Sequence, residues 1–364
     1  MRVCVVNSGS SSVKLRMVER DESVSARADL GAAGPDLGTD IAEFLLSAPA
    51  PDAFAHRVVH GGPVFTAPVV VDAGVRASLE TLNELAPLHN PPALVAIDAL
   101  RAAQPGVPSV ACFDTAFHAT LSAAAATYAV PARWRTEWGV RRYGFHGLSC
   151  AWSCRRAVEM LDVRPEALRL VVCHLGSGAS VSAIVGGRSV DTTMGFTPLE
   201  GLVMATRAGD LDPGVILFAL RRGLGLAELD HELEHGSGLA ALAAGSKGDM
   251  RSVLSLRAMG DEDSQRAVAI YLHRLRSKIA GMAASAGGID ALVFTGGVGE
   301  NAAAIREECC AGLAWLGVRI EPGANRAVAA PDQEITGRGA AVRTLVVHAR
   351  EELVMADEAR TLLA

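Results

Sequence analysis

The sequence has no apolar stretch that approaches the roughly 18 residues needed for a membrane-spanning helix. It also has no excess of basic residues, since 34 Lys and Arg stand against 40 Asp and Glu and the formal net charge is −6. Nucleic-acid binders carry a positive footprint, so we expect neither a nucleic-acid nor a membrane partner. The apolar run at residues 3–6 is too short for a secretion signal, which predicts a cytoplasmic protein.

The cysteines lack the pattern of a disulfide framework. There are seven of them, an odd number, and no CxxC pair in 364 residues. Cys4, Cys112 and Cys173 lie in apolar, strand-like runs and are interpreted as small buried side chains. Cys150 and Cys154 have a helical spacing, but no His or carboxylate stands at metal-ligand spacing from them, so we interpret both as structural.

A chain of this length predicts two domains, and its half-hydrophobic, one-fifth charged composition is that of a globular protein. Strand-like runs alternate with helical ones, which indicates an α/β fold. A strand, a Gly/Ser turn at 7–12 and a second strand open the chain, and the same order returns around the turn at 174–180. This recurrence predicts an internal duplication whose two turns offer backbone N–H groups to a phosphate chain.

Later elements fit the same plan. A helix is predicted over 90–103 with Asn90 as its N-cap, and a long amphipathic helix over 263–284 with a buried apolar stripe. The strand at 291–295 leads into a glycine loop at 296–301 and then a helix, an arrangement that favours anion binding. The segments 31–51 and 322–339 are rich in Gly, Pro and Ala and are predicted to be loops.

Two familiar motifs are excluded. No GxxxxGK[ST] occurs, and GSGLAA at 236–241 does not follow a strand, so neither a P-loop nor a dinucleotide fingerprint is present. HELEH at 231–235 lacks the residue order of a zinc protease and is interpreted as a solvated acidic helix face.

Charged and imidazole side chains are dispersed through otherwise apolar stretches of the sequence. Each alone is explained by an ion pair or a core histidine as well as by catalysis. Together, beside glycines and strand ends, they favour a cleft. They are Arg57, His60, His89, Asp114, His118, Arg142, His146, Arg207, Asp210 and Asp212.

These segments resemble the acetate kinase family, within the sugar kinase, heat-shock cognate and actin superfamily. The motifs are NSGSSSVK (7–14), HRVVHGG (56–62), APLHNPP (86–92), FDTAFH (113–118), RRYGFHG (141–147), HLGSGAS (174–180), DTTMGFTPLEG (191–201), TRAGDLDP (206–213), FTGGVGEN (294–301) and EEL (351–353). The resemblance implies two duplicated actin-like, ribonuclease H-like α/β domains with a nucleotide cleft between them. It assigns 1–118 plus the C-terminal helix at 349–364 to the first domain, and 119–348 to a second domain for nucleotide binding and dimerisation.

The resemblance implies reversible, direct in-line transfer of the ATP γ-phosphoryl group to acetate, giving acetyl phosphate and ADP, with Mg²⁺ (or Mn²⁺) in a homodimer. A substrate carboxylate has a pKa near about 4 and is ionised at neutral pH, so it needs no general base. Two like charges about 4 Å apart cost roughly 4 kcal/mol at an effective dielectric of about 20. Cations must therefore separate the reactants.

The resemblance also assigns roles to residues of this sequence. The catalytic residues are Arg57, Asp114, His146 and Arg207; the acyl group is bound by Arg57, Val59, Leu88, Phe145 and Pro198; the metal is held by Asn7 and Glu351. The nucleotide is bound by Ser10, Ser12, Lys14, His174, Leu175, Gly176, Ser177, Gly178, Asp249, Met250, Arg251, Gly297, Val298, Gly299, Glu300 and Asn301.

Three residues depart from the family pattern: Leu148, Cys150 and Arg350. Two other functions stay open at this point. One is a kinase for propionate, butyrate or another short acid, because a pocket discriminates a methylene by only about 1–3 kcal/mol. The other is a non-catalytic, ATP-gated actin-like module.

Overall fold

The computed structural model describes residues 1–9, 12–34, 36–328 and 332–364. The chain forms two compact units. The first unit contains Met1–Ala119, Phe145–Trp152 and Arg350–Ala364, and the second contains Thr120–Gly144 and Ser153–Ala349. The sequence assigned 145–152 to the second domain, whereas this segment packs with the first unit. Within the described ranges, no helix has the length and apolar character that crossing a membrane requires.

The strands of the described residues form two sheets. They are β1 Val3–Ser8, β2 Val13–Val18, β3 Val24–Leu30, β4 Ala53–Val58, β5 Val69–Val70, β6 Ser109–Phe113, β7 Arg169–Leu175, β8 Ala179–Val185, β9 Arg188–Thr192, β10 Ala291–Thr295, β11 Asp332–Glu334 and β12 Arg343–Val347.

The α-helices lie between and beside these strands. They are α1 Leu37–Ser47, α2 Ala73–Glu80, α3 Asn90–Ala103, α4 Ala123–Ala126, α5 Ala132–Thr136, α6 Gly147–Leu161, α7 Pro213–Arg221, α8 Leu226–His235, α9 Gly238–Leu242, α10 Met250–Ala258, α11 Glu262–Ser285, α12 Gly296–Asn301, α13 Ala303–Ala311, α14 Pro322–Arg326 and α15 Glu351–Leu363. Short 3₁₀ helices occupy Thr81–Glu84, Ala116–Thr120, Pro165–Ala167 and Ala314–Leu316.

The two units repeat one topology. The sheet of the first unit has the order β3-β2-β1-β4-β6-β5, and the sheet of the second has β9-β8-β7-β10-β12-β11. The directions also correspond, because β1–β2 and β7–β8 are antiparallel hairpins while β1–β4–β6 and β7–β10–β12 run parallel. The duplicated α/β architecture predicted from the two Gly/Ser turns is thus confirmed.

Helices cover the sheets, and most residues of the central strands are buried. In the first unit, Leu37 and Ile41 of α1 and Leu100 of α3 join Phe54 of β4 in one core cluster. In the second unit, α11 packs on β7, β8 and β9, and the side chain of Asp261 caps it by accepting from Ser264 N at 2.8 Å. The predicted stripe of α11 is buried, as expected, and so are all seven cysteines.

The loop predictions were wrong for parts of two segments. Residues 37–47 form α1, because Leu37, Ile41 and Phe44 recur at helical spacing and are buried on one face. The Gly, Ala and Pro content of 31–51 hid this short period. In the segment 322–339, Pro322–Arg326 is helical and Asp332–Glu334 is a strand. The glycine loop at 296–301 is itself the helix α12 rather than a loop before a helix.

Asn90 is not the cap of α3, contrary to the sequence prediction. The N-cap position is His89, and Asn90 is the first helical residue, with no side-chain capping bond. The buried amide of Asn90 instead accepts from His60 N and donates to His60 O, both at 3.1 Å. It ties the start of α3 to the loop that follows β4.

We predict that Asn90→Ser lowers the free energy of unfolding by about 1–3 kcal/mol, although Ser is as good an N-cap as Asn. The shorter side chain cannot reach both His60 backbone groups, which would be left buried without partners. Urea unfolding followed by circular dichroism measures the change. The control is Asp72→Ser at α2, where Asp72 does cap the helix through Val75 N. This control should change stability by only a few tenths of a kcal/mol; equal losses in both variants would contradict the role given to Asn90.

Candidate functional site

The first unit contains a buried charge cluster centred on Arg57, near the end of β4. The Arg57 guanidinium donates from Nε to Asp114 Oδ1 at 3.0 Å and from Nη2 to Asp114 Oδ2. Nη1 donates to Asn7 Oδ1 at 3.1 Å. The Asp114 side chain is 1% exposed and that of Arg57 is 16% exposed. A bidentate pair of this kind fixes the plane of the guanidinium as well as its position.

Glu351 completes this cluster from the first turn of α15. Its Oε2 lies 4.0 Å from Arg57 Nε and 3.4 Å from Asn7 Nδ2. Burial raises the pKa of the Glu351 carboxyl, and Arg57 opposes that rise. Burial works against the charge of Arg57, but the neighbouring Asp114 and Glu351 carboxylates hold its pKa above the usual value. The structure thus brings four of the predicted site residues together in the first unit: Asn7, Arg57, Asp114 and Glu351.

The cluster contains oxygen donors that suit a hard divalent cation. No group of three His, Cys, Asp or Glu residues in the described ranges is arranged to hold a metal. Mg²⁺, however, is usually bound through one or two carboxylates, with water and substrate phosphates completing its shell. Asp114, Glu351 and the amide oxygen of Asn7 meet that requirement. Arg350 does not compete for Glu351, because its Nε donates to Glu352 Oε1 at 2.6 Å.

His146 is held beside this cluster by an unusual backbone. Its φ of +57° is in the left-handed region, which few residues with side chains adopt. The next residue, Gly147, donates its N–H to Asp114 O at 2.9 Å. A Cβ at Gly147 would lie 2.2 Å from that carbonyl oxygen, so only glycine permits the approach. The junction of His146 and Gly147 is thereby fastened to the residue that orients Arg57.

The predicted phosphate-path residues lie in the β1–β2 hairpin. Lys14 is exposed and stands opposite Asn7 in the register of the two strands. Ser12 closes the hairpin, because its carbonyl accepts from Gly9 N at 2.8 Å. Ser10 lies outside the described residues.

Four of the five residues predicted to bind the acyl group belong to the first unit, Arg57 among them. Val59 and Phe145 are 4% and 1% exposed, and Leu88 is half-buried. Phe145 packs edge-on against His60, with ring centroids 5.4 Å apart. Pro198 is buried in the second unit.

The second unit brings the predicted nucleotide segments together. His174 and Leu175 end β7, and 176–178 form its tight turn into β8, where Gly176 N donates to Gly178 O at 2.9 Å. Strand β10 runs parallel beside β7 and pairs Thr295 with His174. Helix α12 therefore begins against this turn. A Cβ at Gly296 would lie 2.9 Å from Leu175 O.

The remaining nucleotide segment and Arg207 are linked to the same turn. Ala205 N donates to Ser177 O at 3.0 Å, and Gly248 packs so closely on Ala205 that a Cβ would lie 2.3 Å from its carbonyl oxygen. Asp249 follows Gly248 and precedes α10, which begins with Met250 and the exposed Arg251. Arg207 follows Ala205 by two residues. The structure therefore places Arg207 near the predicted phosphate-binding turns.

Within α12, two predicted contact residues already have partners in the protein. Glu300 accepts from Ala349 N at 3.0 Å and contacts the His348 ring, so its carboxylate holds the segment before α15. Asn301 donates to Gly297 O at 2.9 Å. Gly297, Val298 and Gly299 form the first turns of the helix.

Several residues of the dispersed constellation are structural. Burial lowers the pKa of His118 to about 4, and its Nε2 lies 2.9 Å from Phe145 O. His60 is buried, and its Nδ1 accepts from Gly62 N at 2.9 Å. Arg142 donates to the carbonyls of residues 192–194 and to Glu200. Because these atoms already hydrogen-bond within the protein, they are not available to a ligand.

Sequence reasoning missed three charged residues that support the site. Arg306 is 1% exposed and donates from Nη1 to Gly299 O and Glu300 O, which anchors α12. Glu234, from the HELEH segment, accepts from Arg207 Nε at 2.6 Å. Glu358 of α15 has a buried Oε2 and lies close enough to Cys112 and Asp114 for both to influence its pKa. Of these three, only Glu358 had a signal in the sequence. Side chains alternate along β6, so Cys112, its neighbour, lies on the sheet face opposite the core that contains α3.

Glu358 predicts a pH dependence of stability. Burial raises its pKa from 4.5 to about 7, to which Asp114 adds a smaller rise, and its Oε2 is buried with no partner among the described residues. The folded protein thus keeps a proton that the unfolded chain releases, so stability declines as pH rises from about 4.5 to about 7. Glu358→Gln should remove this decline, and its stability relative to the unsubstituted protein should grow by about 2–3 kcal/mol from pH 5 to pH 8. Urea unfolding across this range provides the measurement. Glu43→Gln, at an exposed position of α1, should leave the slope unchanged; parallel curves for Glu358→Gln and the original chain would refute the assignment.

Several known proteins are similar to this chain in sequence and in fold. The model of the Acetokinase family matches residues 47–357. An acetate kinase of Deinococcus deserti is 41% identical, with 100% of this chain and 98% of the relative covered. The crystal structure of Porphyromonas gingivalis acetate kinase has a TM-score of 0.91 at 33% identity over 100% of both chains. A propionate kinase structure from Francisella tularensis has a TM-score of 0.91 at 33% identity over 98% of both chains. The chain belongs to the acetokinase family.

Proposed function

We propose that this protein is an acetate kinase that transfers the γ-phosphoryl group of ATP to acetate, reversibly and without a phosphoenzyme. An acetate oxygen attacks the γ-phosphorus, the bond to the β–γ bridging oxygen breaks, and ADP leaves with the electron pair of that bond. The observation that carries the proposal is the Arg57 guanidinium, held by Asp114, Asn7 and Glu351 in a chain of this family.

The chemistry follows from charge. Acetate is ionised at neutral pH, so Asp114 acts by orienting Arg57 and removes no proton. Arg57 and Arg207 are assigned to the same pair of anionic reactants, whose mutual repulsion their guanidinium groups reduce. His146 is assigned to the equatorial oxygens, over which charge spreads in a loose transition state.

Mg²⁺ is the metal that this proposal includes, with Mn²⁺ as an alternative. Asn7 and Glu351 would hold it, with Asp114 acting through water, and bound Mg²⁺ neutralises charge on phosphate oxygens. The turn at 176–178 and the start of α12 would supply backbone N–H groups for the phosphates. We extend the proposal to a homodimer in the cytoplasm, by analogy with the family.

The main rival substrate is a longer acid. The Francisella tularensis relative is described as a propionate kinase, and its fold is as similar to this chain as that of the acetate kinase. Acetate is favoured because Val59 and Phe145 are bulky and buried, which limits the space beyond a methyl group.

We predict that the purified protein forms acyl phosphate from ATP and acetate, detected as the hydroxamate. Arg57→Ala and Arg207→Ala should each lower kcat by roughly 100-fold or more, as the loss of a charge-stabilising donor does. Arg57→Ala also leaves Asp114 buried without its partner, so circular dichroism should accompany the assay, and Arg57→Lys keeps the charge while removing the fork.

Two matched controls remove arginines from exposed ion pairs. Arg16→Ala breaks a pair with Asp29 in the first unit, and Arg343→Ala breaks a pair with Glu334 in the second. Both should keep normal turnover. Wild-type activity in Arg57→Ala or Arg207→Ala would exclude the charge role, and no hydroxamate from any short acid would favour a non-catalytic nucleotide-gated module.

We predict that kcat/KM falls about 10- to 200-fold from acetate to propionate and again to butyrate. Val59→Ala should raise the propionate-to-acetate ratio by about 10-fold, because it frees the volume of a methylene. The matched control is Val58→Ala, since Val58 packs with Leu79 in the core of the first unit. That variant should lose stability and keep the wild-type ratio. An unchanged ratio in Val59→Ala would remove Val59 from the acyl pocket, and a wild-type preference for propionate would identify the rival substrate.

A further inference from the structure

Arg207 forms an ion pair with a residue that lies 27 positions later in the chain. The Nε of Arg207 donates to Oε2 of Glu234 at 2.6 Å, and both side chains are 15% exposed. Glu234 lies in the last turn of α8, in the HELEH segment. Two other polar residues at this end of α8, Glu232 and His235, are exposed.

The backbone around this ion pair is fixed on both sides. The hydroxyl of Thr206 donates to Glu234 O at 2.7 Å, and Ser237 N donates to Thr206 O at 2.9 Å. Gly238 has a φ of +64°, and a Cβ there would lie 2.4 Å from Met204 O. The end of α8 is thus fastened to the loop that carries Arg207. The carboxylate of Glu234 and the main chain of Arg207 are held at one separation.

The contact uses one edge of the guanidinium. Within the part of the chain that the structure describes, Glu234 is the hydrogen-bond partner of the Arg207 side chain, and it accepts from Nε. The terminal Nη1 and Nη2 groups are the pair that binds carboxylate or phosphoryl oxygens in a fork. An arginine anchored through Nε keeps that fork available and loses the rotamer freedom that would otherwise be lost on binding an anion.

We propose that Glu234 is a positioning residue, which holds the Arg207 side chain so that its terminal nitrogens are presented to the anionic reactants. This role rests on the function proposed above for Arg207. It also gives a purpose to the HELEH segment, in which one of the two glutamates is turned toward the loop and the other faces solvent. A negative charge close to an anion site is unfavourable, so the benefit of Glu234 is geometric.

The test compares Glu234→Ala and Glu234→Gln. The Gln amide oxygen still accepts from Nε, so Glu234→Gln should retain kcat/KM for acetate and ATP within about threefold. Glu234→Ala removes the acceptor and should lower kcat by roughly 10- to 100-fold, the scale of a small misplacement of a catalytic group, with a smaller change in KM. Glu232→Gln and Glu232→Ala are the matched controls on the exposed face of α8 and should be unchanged.

A double-mutant cycle shows whether Glu234 acts through Arg207. If it does, Glu234→Ala added to Arg207→Ala causes no further loss of kcat, and the two effects are non-additive. A loss of full size in the Arg207→Ala background would overturn the proposal, because a role in folding α8 would not depend on Arg207. If Glu234→Ala melts early, Glu234→Asp replaces it, since a carboxylate one methylene shorter cannot reach Nε and should show the same loss in kcat.

The outcomes separate this role from the proposed function. Wild-type turnover in Arg207→Ala removes the function assigned to Arg207 itself. Impaired Arg207→Ala with wild-type kcat in both Glu234→Ala and Glu234→Asp leaves that function standing and overturns the positioning role alone.

Discussion

The charge cluster of the first unit requires the largely buried guanidinium of Arg57 to stay charged and to keep one orientation. Arg57 is held on three sides, by the bidentate Asp114, by Asn7 and by the nearby Glu351. Burying an isolated charge is very costly, and two carboxylates compensate for it here. Asp114 also accepts the backbone N–H of Gly147, which sets the position of His146. The ends of three strands and the start of α15 are therefore organised around one side chain.

The second unit meets a similar demand by a different route. Arg207 lies on a loop that backbone hydrogen bonds join to the turn of β7 and β8, and its side chain pairs with the partly buried carboxylate of Glu234. Arg306 stabilises α12, because its guanidinium donates hydrogen bonds to main-chain carbonyls of that helix. The duplicated sheets are alike, whereas the charged groups at their strand ends differ. The two units therefore share a duplicated sheet topology, whereas different local contacts position the polar groups of each unit.

Much of the fold and part of the site could be predicted from sequence because they depend on local patterns. The Gly/Ser turns and apolar strands revealed the duplication. The motifs grouped Arg57, Asp114 and Glu351, whose side chains the structure brings together. Helix α1 was missed because a short apolar period was masked by Gly and Ala. Asn90 was misassigned because the sequence does not distinguish an Asn that caps a helix from an Asn that hydrogen-bonds with a distant backbone. Glu234 and Glu358 were invisible for a further reason: both sit in ordinary amphipathic helices, and only tertiary packing shows that they face a site rather than water.

The order of the site residues along the chain has a consequence for biosynthesis. Asn7, Arg57 and Asp114 leave the ribosome well before Glu351 and the rest of α15. Translation at about 5–20 residues per second separates the two events by on the order of tens of seconds. Throughout that interval the nascent first sheet lacks the helix that covers β1, β4 and β6, and it carries an apolar face open to solvent. The strand surface beneath α15 is thus where a ribosome-associated chaperone has the longest opportunity to act on this chain.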